Sequence, residues 1–84
     1  MATVVNTAEA QEQFEDLPRV IKNRVLKISE RLALWPDVSG VKSLSGDLAG
    51  FYRIRTGDYR IQFRVEIDKV IIVKMGHRDG FYED

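Results

Sequence analysis

Two adjacent runs in the second half of this chain constrain its fold more than any other feature. Phe51–Thr56 and Tyr59–Glu66 are rich in aromatic and β-branched residues, and only Gly57-Asp58 separates them. A two-residue connection with glycine first is typical of a type II′ turn, so the runs predict a β-hairpin whose ends meet at that turn. Because side chains alternate between the two faces of a strand, this register predicts one apolar face and one basic face.

The apolar face of the hairpin is the predicted core face. Its side chains are Tyr52, Ile54, Thr56, Tyr59, Ile61, Phe63 and Val65. The opposite face, called the basic face below, carries Phe51, Arg53, Arg55, Arg60, Gln62 and Arg64. Arg55 lies opposite Arg60 in this register, and like charges across two strands repel. The face is either a solvated surface whose arginines pair with carboxylates such as Asp79, Glu83 or Asp84, or a site for an anion such as phosphate.

A third strand, Val70–Gly76, is expected to extend the hairpin into an antiparallel meander. We expect Lys74 to lie beside Gln62 on the basic face. The side chains expected on the core face are Ile71, Val73 and Met75. This alternation of the third strand's side chains between the two faces requires an odd number of residues in the loop before that strand, and the candidate loop is Ile67-Asp68-Lys69.

The first half of the chain is predicted to be helical after a short N-terminal strand. Asn6 followed by Glu9 matches a capping box, so Asn6 is expected to cap a first helix that ends near Asp16. Pro18 suits the first turn of a second helix, which Trp35-Pro36 ends. The apolar stripe of that helix consists of Ile21, Val25, Ile28 and Leu32.

These elements predict one α+β domain over residues 1–84. Its order is a short N-terminal strand, two helices and an antiparallel three-stranded meander, with the helices packed on one face of the sheet. The segment Val38–Gly50 is rich in glycine and serine and is expected to be a loop with at most a short ordered stretch.

The composition excludes several classes of protein. The 84 residues contain no cysteine and one histidine, so we expect no disulfide, metal site or cofactor. No apolar run is long enough to cross a bilayer, so we expect a cytoplasmic protein without a membrane partner. Thirteen basic residues balance thirteen acidic ones, yet residues 42–78 carry eight basic residues against four acidic, a net charge of +4. The basic charge is therefore concentrated in the predicted sheet.

Two residues that can transfer protons follow the third strand. They are His77 and Tyr82, with Arg78 between them. Beside four arginines, an imidazole or a phenol is a candidate for acid–base chemistry on a bound anion.

At these residues the chain resembles the RelE/ParE superfamily of bacterial type II toxins. The motifs are Leu44-Ser45-Gly46, Gly50-Phe51-Tyr52-Arg53-Ile54-Arg55, Gly57-Asp58-Tyr59-Arg60, and Gly76-His77-Arg78 followed by Tyr82. The resemblance implies a RelE-like fold and a ribosome-dependent, metal-independent mRNA endonuclease, in which the 2′-hydroxyl of the RNA attacks the adjacent phosphate. The implied partners are the ribosome, mRNA and a cognate RelB-like antitoxin that forms a toxin–antitoxin hetero-oligomer.

The resemblance also implies roles for individual residues. Arg60 and Arg78 match positions that stabilise charge building on the phosphate. Tyr82 matches a tyrosine that stacks on a base or helps to activate the nucleophile. The RNA-binding side chains expected on the basic face are Phe51, Arg53, Arg55, Arg64 and Lys74. Because arginine does not lose its proton in proteins, the general base is expected to be Tyr82 or His77.

Two other functions remain open at this point. One is that of a ParE-like toxin that inhibits DNA gyrase by binding it. The other is that of a degenerate member that only binds its antitoxin. This alternative remains because both candidate base positions, Arg53 and Arg55, are arginines, which do not lose their protons.

Overall fold

The computed structural model describes residues 2–81, which form a five-stranded sheet with two helices on one face. The strands are β1 (Thr3–Asn6), β2 (Lys42–Ser43), β3 (Phe51–Thr56), β4 (Tyr59–Glu66) and β5 (Lys69–His77). The helices are α1 (Ala8–Glu15), α2 (Arg19–Leu32) and α3 (Arg78–Phe81), with a short 3-10 helix at Gly46–Leu48. The α+β class is confirmed, and the sheet order is β1-β5-β4-β3-β2. The predicted meander is the centre of a larger sheet, because β1 pairs in parallel with β5 and β2 pairs with β3.

The β3–β4 hairpin has the predicted register. Thr56 pairs with Tyr59 and Arg55 pairs with Arg60, and the pairing continues to Phe51 and Arg64. Gly57 has φ of 58°, the left-handed region that the first position of a type II′ turn requires. Glycine reaches this region without the steric cost of a β-carbon.

The predicted register of β5 is correct at one end and wrong at the other. Lys74 pairs with Gln62 as expected, and Met75 is in the core. The expected three-residue loop is instead a two-residue turn, Ile67-Asp68, because Glu66 pairs with Lys69. A β-bulge then shifts the pairing by one residue, so that Lys74 still faces Gln62. Gln62 pairs with Lys74 but Phe63 pairs with Ile72, which leaves Val73 as the extra residue. The core side chains of β5 are therefore Val70, Ile72 and Met75, whereas Ile71 is buried on the basic face opposite Arg64.

Helix α1 satisfies the backbone groups that the bulge leaves unpaired. Gln13 Oε1 accepts a hydrogen bond from the backbone N–H of Met75 at 2.8 Å. Thr7 Oγ1 lies 3.5 Å from the carbonyl oxygen of Val73, to which it donates. Buried backbone groups need such partners, so α1 and the bulge stabilise each other.

Replacing Gln13 with alanine is expected to lower the free energy of unfolding by about 1–3 kcal/mol, because the N–H of Met75 loses its acceptor. Urea denaturation followed by the fluorescence of Trp35 measures this loss. The control is Gln11→Ala, whose exposed side chain bonds only Asn6 and Glu15 and should cost less than about 0.5 kcal/mol. Equal losses in the two variants would contradict this role of Gln13.

The start of α1 differs from the prediction. The N-cap is Thr7, whose side chain accepts a hydrogen bond from the N–H of Ala10 at 3.2 Å. Asn6 remains in β1, where pairing with Ile72 holds its backbone in the sheet. The parallel pairing of β1, which the local capping pattern does not reveal, therefore shifts the helix start by one residue.

The core lies between the helices and the apolar face of the sheet. The four stripe residues of α2 are buried against Ile54, Ile61 and Phe63. Trp35, just beyond α2, meets the rings of Tyr52 and Phe63 edge-on, with distances between ring centres of 5.0 and 5.5 Å. Trp35 is therefore a packing residue, and the opposite face of the sheet is left for other contacts. No helix among residues 2–81 is long and apolar enough to span a membrane.

Candidate nucleic-acid interface

Three rows of side chains cross the basic face. The first is Phe51, Arg64 and Ile71; the second is Lys42, Arg53, Gln62 and Lys74; the third is Arg55, Arg60 and Gly76. The predicted RNA-binding residues therefore share one face. Lys42 is a further cation that the sequence did not assign, because only the two-residue pairing of β2 with β3 brings it beside Arg53.

The third row brings two guanidinium groups together at the turn end of the hairpin. Arg55 is exposed and lies directly opposite Arg60. Neither guanidinium forms an ion pair with a carboxylate of residues 2–81. Arg60 Nη1 donates to the carbonyl oxygen of Gly57 at 3.3 Å, so the turn holds this guanidinium near its own tip.

Arg78 joins Arg60 at the same turn from a different element. Its backbone N–H donates to the carbonyl oxygen of Asp58 at 2.8 Å, and its Nε lies 3.9 Å from the Asp58 carboxylate and 3.7 Å from that of Asp79. These ion pairs are long and solvent-exposed, so they hold Arg78 weakly. The two arginines that the family resemblance assigned to phosphate thus lie at one hairpin tip.

The other end of the basic face is less available for an anion. Arg64 pairs with Glu66, so its charge is neutralised within β4. Phe51 is half-buried beside it. Among residues 2–81, the part of this face best suited to an anion therefore lies towards the hairpin tip and the second row of side chains.

Helix α3 covers the β5 side of the basic face. Phe81 is only 2% exposed, and a β-carbon at Gly76 would lie 3.9 Å from its ring. Lys74 Nζ donates to the carbonyl oxygen of Phe81 and lies 4.8 Å from the centre of its ring. Phe81 thus packs over Gly76 and covers this part of the sheet. The only sequence signal for this packing was an apolar residue after Gly80.

The comparisons with known proteins agree with this fold. The model of the family described as "ParE toxin of type II toxin-antitoxin system, parDE" matches residues 4–80. The chain belongs to the ParE toxin family. It is therefore a toxin of a type II toxin–antitoxin system.

Solved structures of related toxins cover almost the whole of this ParE-family chain. One is the RelBE2 toxin–antitoxin complex of Mycobacterium tuberculosis, with 28% identity, a TM-score of 0.80, and coverage of 92% of this chain and 91% of that one. Another is the archaeal RelE–RelB complex of Pyrococcus horikoshii, with 26% identity, a TM-score of 0.77, and coverage of 92% and 94%. The RelE-like architecture is thus confirmed. None of the curated proteins matches this sequence.

In this ParE-family toxin, His77 lies on the side of the sheet opposite the arginines. It pairs with Tyr59, and the two rings meet edge-on at 5.2 Å on the core side of the hairpin. Its Nδ1 accepts a hydrogen bond from the N–H of Asp79 at 3.1 Å. The sequence grouped His77 with the arginines because it follows β5, but strand alternation places it next to Met75 and Ile61 instead. Tyr82 lies outside the described residues.

Metal ligands are not grouped in the part of the toxin that the structure describes. No three His, Cys, Asp or Glu side chains of residues 2–81 are arranged to hold a metal ion. The residues gathered on the basic face are instead cations and donors, which suit an anionic ligand.

The Arg55–Arg60 pair of the toxin predicts a stabilising substitution. Arg55→Gln removes a like-charge pair and is expected to raise the free energy of unfolding by about 0.2–1 kcal/mol at low salt. Added salt should shrink this gain because it screens exposed charges. Urea denaturation at two salt concentrations measures both effects. Lys69→Gln is the control: Lys69 lies opposite Glu66, so neutralising it should stabilise nothing.

Proposed function

We propose that this toxin is a ribosome-dependent, metal-independent mRNA endonuclease (an mRNA interferase) that inhibits translation. The observation that supports it most is the Arg55–Arg60 pair, which forms no ion pair with a carboxylate of residues 2–81, with Arg78 at the same hairpin tip. A pair of facing arginines opposes folding, and a bound phosphate relieves that repulsion. Planar guanidinium groups suit phosphate because they donate two parallel hydrogen bonds.

The proposed reaction uses the substrate's own nucleophile. The 2′-hydroxyl loses its proton and attacks the adjacent phosphorus, the bond from phosphorus to the 5′ oxygen breaks, and that oxygen takes up a proton. The products are a 2′,3′-cyclic phosphate and a 5′-hydroxyl end. Arg60 and Arg78 stabilise the negative charge that grows on the phosphate, while Arg53 and Arg55 hold the RNA.

Tyr82 is the proposed general base of this reaction. An arginine cannot take the role, because it does not lose its proton in proteins. The position of His77 beside Tyr59, on the core side of the hairpin, gives the alternative less support. Activity of a Tyr82→Phe variant equal to that of the unmodified toxin would contradict this assignment.

A cognate RelB-like antitoxin is the proposed protein partner, in a toxin–antitoxin hetero-oligomer. The related structures from Mycobacterium tuberculosis and Pyrococcus horikoshii are complexes of this kind. The basic face supports an acidic antitoxin segment through charge complementarity. Ribosome and mRNA as partners require that the toxin act in the cytoplasm.

Inhibition of DNA gyrase is the second candidate, because the matching family model describes parDE toxins. Induced expression in bacteria separates the two, with growth followed and mRNA 5′ ends mapped by primer extension. Growth arrest with new cleavages inside translated frames is the expected result. Arrest with intact mRNA would overturn the nuclease and favour gyrase or another protein target. No arrest from soluble, folded toxin would overturn both and favour a module that only binds its antitoxin.

A further inference from the structure

Helix α2 carries a second stripe of cations that the catalytic proposal does not use. Arg24, Lys27 and Arg31 recur at steps of three and four residues, so they follow one flank of the helix, and all three are exposed. None of them forms an ion pair with a carboxylate of residues 2–81. We call this stripe the α2 flank.

Contacts on either side of α2 show which way this flank faces. On the other side of the helix, Lys22 Nζ lies 5.9 Å from the ring centre of Phe14 in α1. The α2 flank therefore points away from α1, towards the β3 and β2 edge of the sheet. Four carboxylates of the first half are separated from it, because Glu9, Glu12 and Glu15 belong to α1 and Asp16 caps it. Glu30 lies on α2 itself, but it forms no ion pair with the three cations of the flank.

Both ends of the α2 flank reach elements that carry the basic face. Arg24 Nη1 lies 3.5 Å from the position of a β-carbon at Gly57, in the turn whose carbonyl oxygen Arg60 contacts. Arg31 Nη2 donates to the carbonyl oxygen of Ser39 at 2.7 Å. The chain then enters β2, where Lys42 pairs with Arg53. The α2 flank is thus linked to the basic face at both ends, through the hairpin turn and through the segment that leads into β2.

We infer that the α2 flank is a second RNA-contact surface, which holds the backbone of the RNA where it leaves the basic face. This inference rests on the proposal that RNA is the substrate. From Arg24 to Arg31 the flank spans about 10 Å of helix, enough to face at least two phosphates of one strand. Contacts of this kind position RNA without reading its sequence.

The chemistry of the flank fits RNA better than a protein. Protein interfaces have an apolar centre depleted in charge, whereas the centre of this flank is the cation Lys27. Leu26 lies on the far side of α2, and the exposed apolar side chains Val20 and Leu34 lie beyond the two ends of the flank. A patch with exposed cations at its centre is typical of phosphate contacts.

The test measures binding of the full-length toxin to 2′-O-methyl oligonucleotides, which lack the attacking hydroxyl and cannot be cleaved. Fluorescence anisotropy is recorded with oligonucleotides about 4 and about 16 nucleotides long, the range of single-strand site sizes. The variant is Arg24→Gln with Lys27→Gln. Arg31 is left intact because it also bonds Ser39. The control, Arg19→Gln with Lys22→Gln, removes the same charge from the same helix but from outside the flank.

The variant is expected to bind the long oligonucleotide about ten-fold more weakly at low salt, with the slope of log affinity against log salt reduced by about 1.4, or 0.7 for each lost phosphate contact. Binding of the short oligonucleotide, which fills only the basic face, should change less than two-fold. The control should behave as the unmodified toxin. This length dependence separates a second contact surface from a general loss of charge.

Three outcomes overturn the inference. They are equal losses for both lengths, equal losses in variant and control, and tighter binding of polyglutamate than of the long oligonucleotide, which would indicate an acidic protein as the occupant. Failure here is distinguishable from failure of the proposed function, because cleavage is measured separately in cells. If mRNA is cleaved but the α2 flank variant binds RNA normally, the inference is wrong and the proposed nuclease function is retained. If binding depends on the flank but the toxin does not cleave mRNA, only the proposed nuclease function is wrong.

Discussion

Replacing Arg60 with alanine is expected to abolish growth arrest and to lower mRNA cleavage by about 100- to 1,000-fold, the usual effect of removing one preorganised donor from developing negative charge. Arg60 lies at the centre of the third row, with Arg55 on one side and Gly76 on the other. The turn carbonyl of Gly57 holds its guanidinium at the hairpin tip.

The Arg60→Ala variant should remain folded, because the lost contacts are hydrogen bonds at the exposed surface of a turn. We expect its free energy of unfolding to fall by less than about 1 kcal/mol. Arg60→Lys keeps the charge but not the planar pair of donors, so its cleavage activity should lie between that of the unmodified toxin and that of Arg60→Ala. Arg19→Ala is the control for charge. Unfolding of the alanine variant, or cleavage equal to that of the unmodified toxin, would show that Arg60 has no part in catalysis.

Replacing Phe63 with alanine is expected to cost about 3–5 kcal/mol of unfolding free energy, because a fully buried ring leaves a cavity. Phe63 has no exposed surface and lies in the central strand. Its ring stacks on that of Tyr52 at 5.6 Å and meets Trp35 edge-on at 5.5 Å. The loss is a large part of the roughly 5–15 kcal/mol that stabilises a typical domain.

Urea denaturation measures this loss, with far-ultraviolet circular dichroism as the signal because Trp35 fluorescence itself responds to the missing ring. Ile67→Ala is the matched control: Ile67 is 92% exposed at the tip of the β4–β5 turn and should cost less than about 0.5 kcal/mol. A cost below about 1 kcal/mol for Phe63→Ala would contradict the assignment of the core face.

The β3–β4 hairpin was predictable from the sequence because its information is local. A period of two in apolar residues, together with a two-residue turn at Gly57-Asp58, leaves only one register that buries the apolar face. The whole pairing from Phe51–Arg64 to Thr56–Tyr59 follows from it. The helical spacing of apolar residues in α2 also involves only residues close together in the sequence, and this apolar stripe is buried as expected.

The bulge in β5 was not predictable, because its cause lies far away in the chain. Gln13 and Met75 are 62 residues apart, and the contacts of Gln13 and Thr7 satisfy the backbone groups at the bulge. Lys42 was missed for a different reason, because β2 has two residues of pairing and no periodicity of its own. Short strands of this kind are held by their partners rather than by their composition.

The composition of the candidate site was readable from the sequence, but its arrangement was not. Alternation alone put Arg55 opposite Arg60 on a face rich in arginine. Whether a residue beyond a strand belongs to that face depends on how the chain continues in three dimensions. His77 stays in the sheet beside Tyr59, whereas Phe81 folds over Gly76 and covers part of the basic face. Arg24, distant in sequence, reaches the hairpin turn only because α2 packs across the other side of the sheet.

The amino-acid sequence by itself determined the two long helices, the hairpin and its register, and the separation of arginines from core residues, because each depends on side-chain period and turn chemistry within a few residues. The tertiary structure decided which distant groups meet: the bulge with α1, Arg78 with the Asp58 turn, and the α2 flank with the edge of the sheet. Those contacts depend on how layers pack around a shared core, and packing is a property of the whole chain.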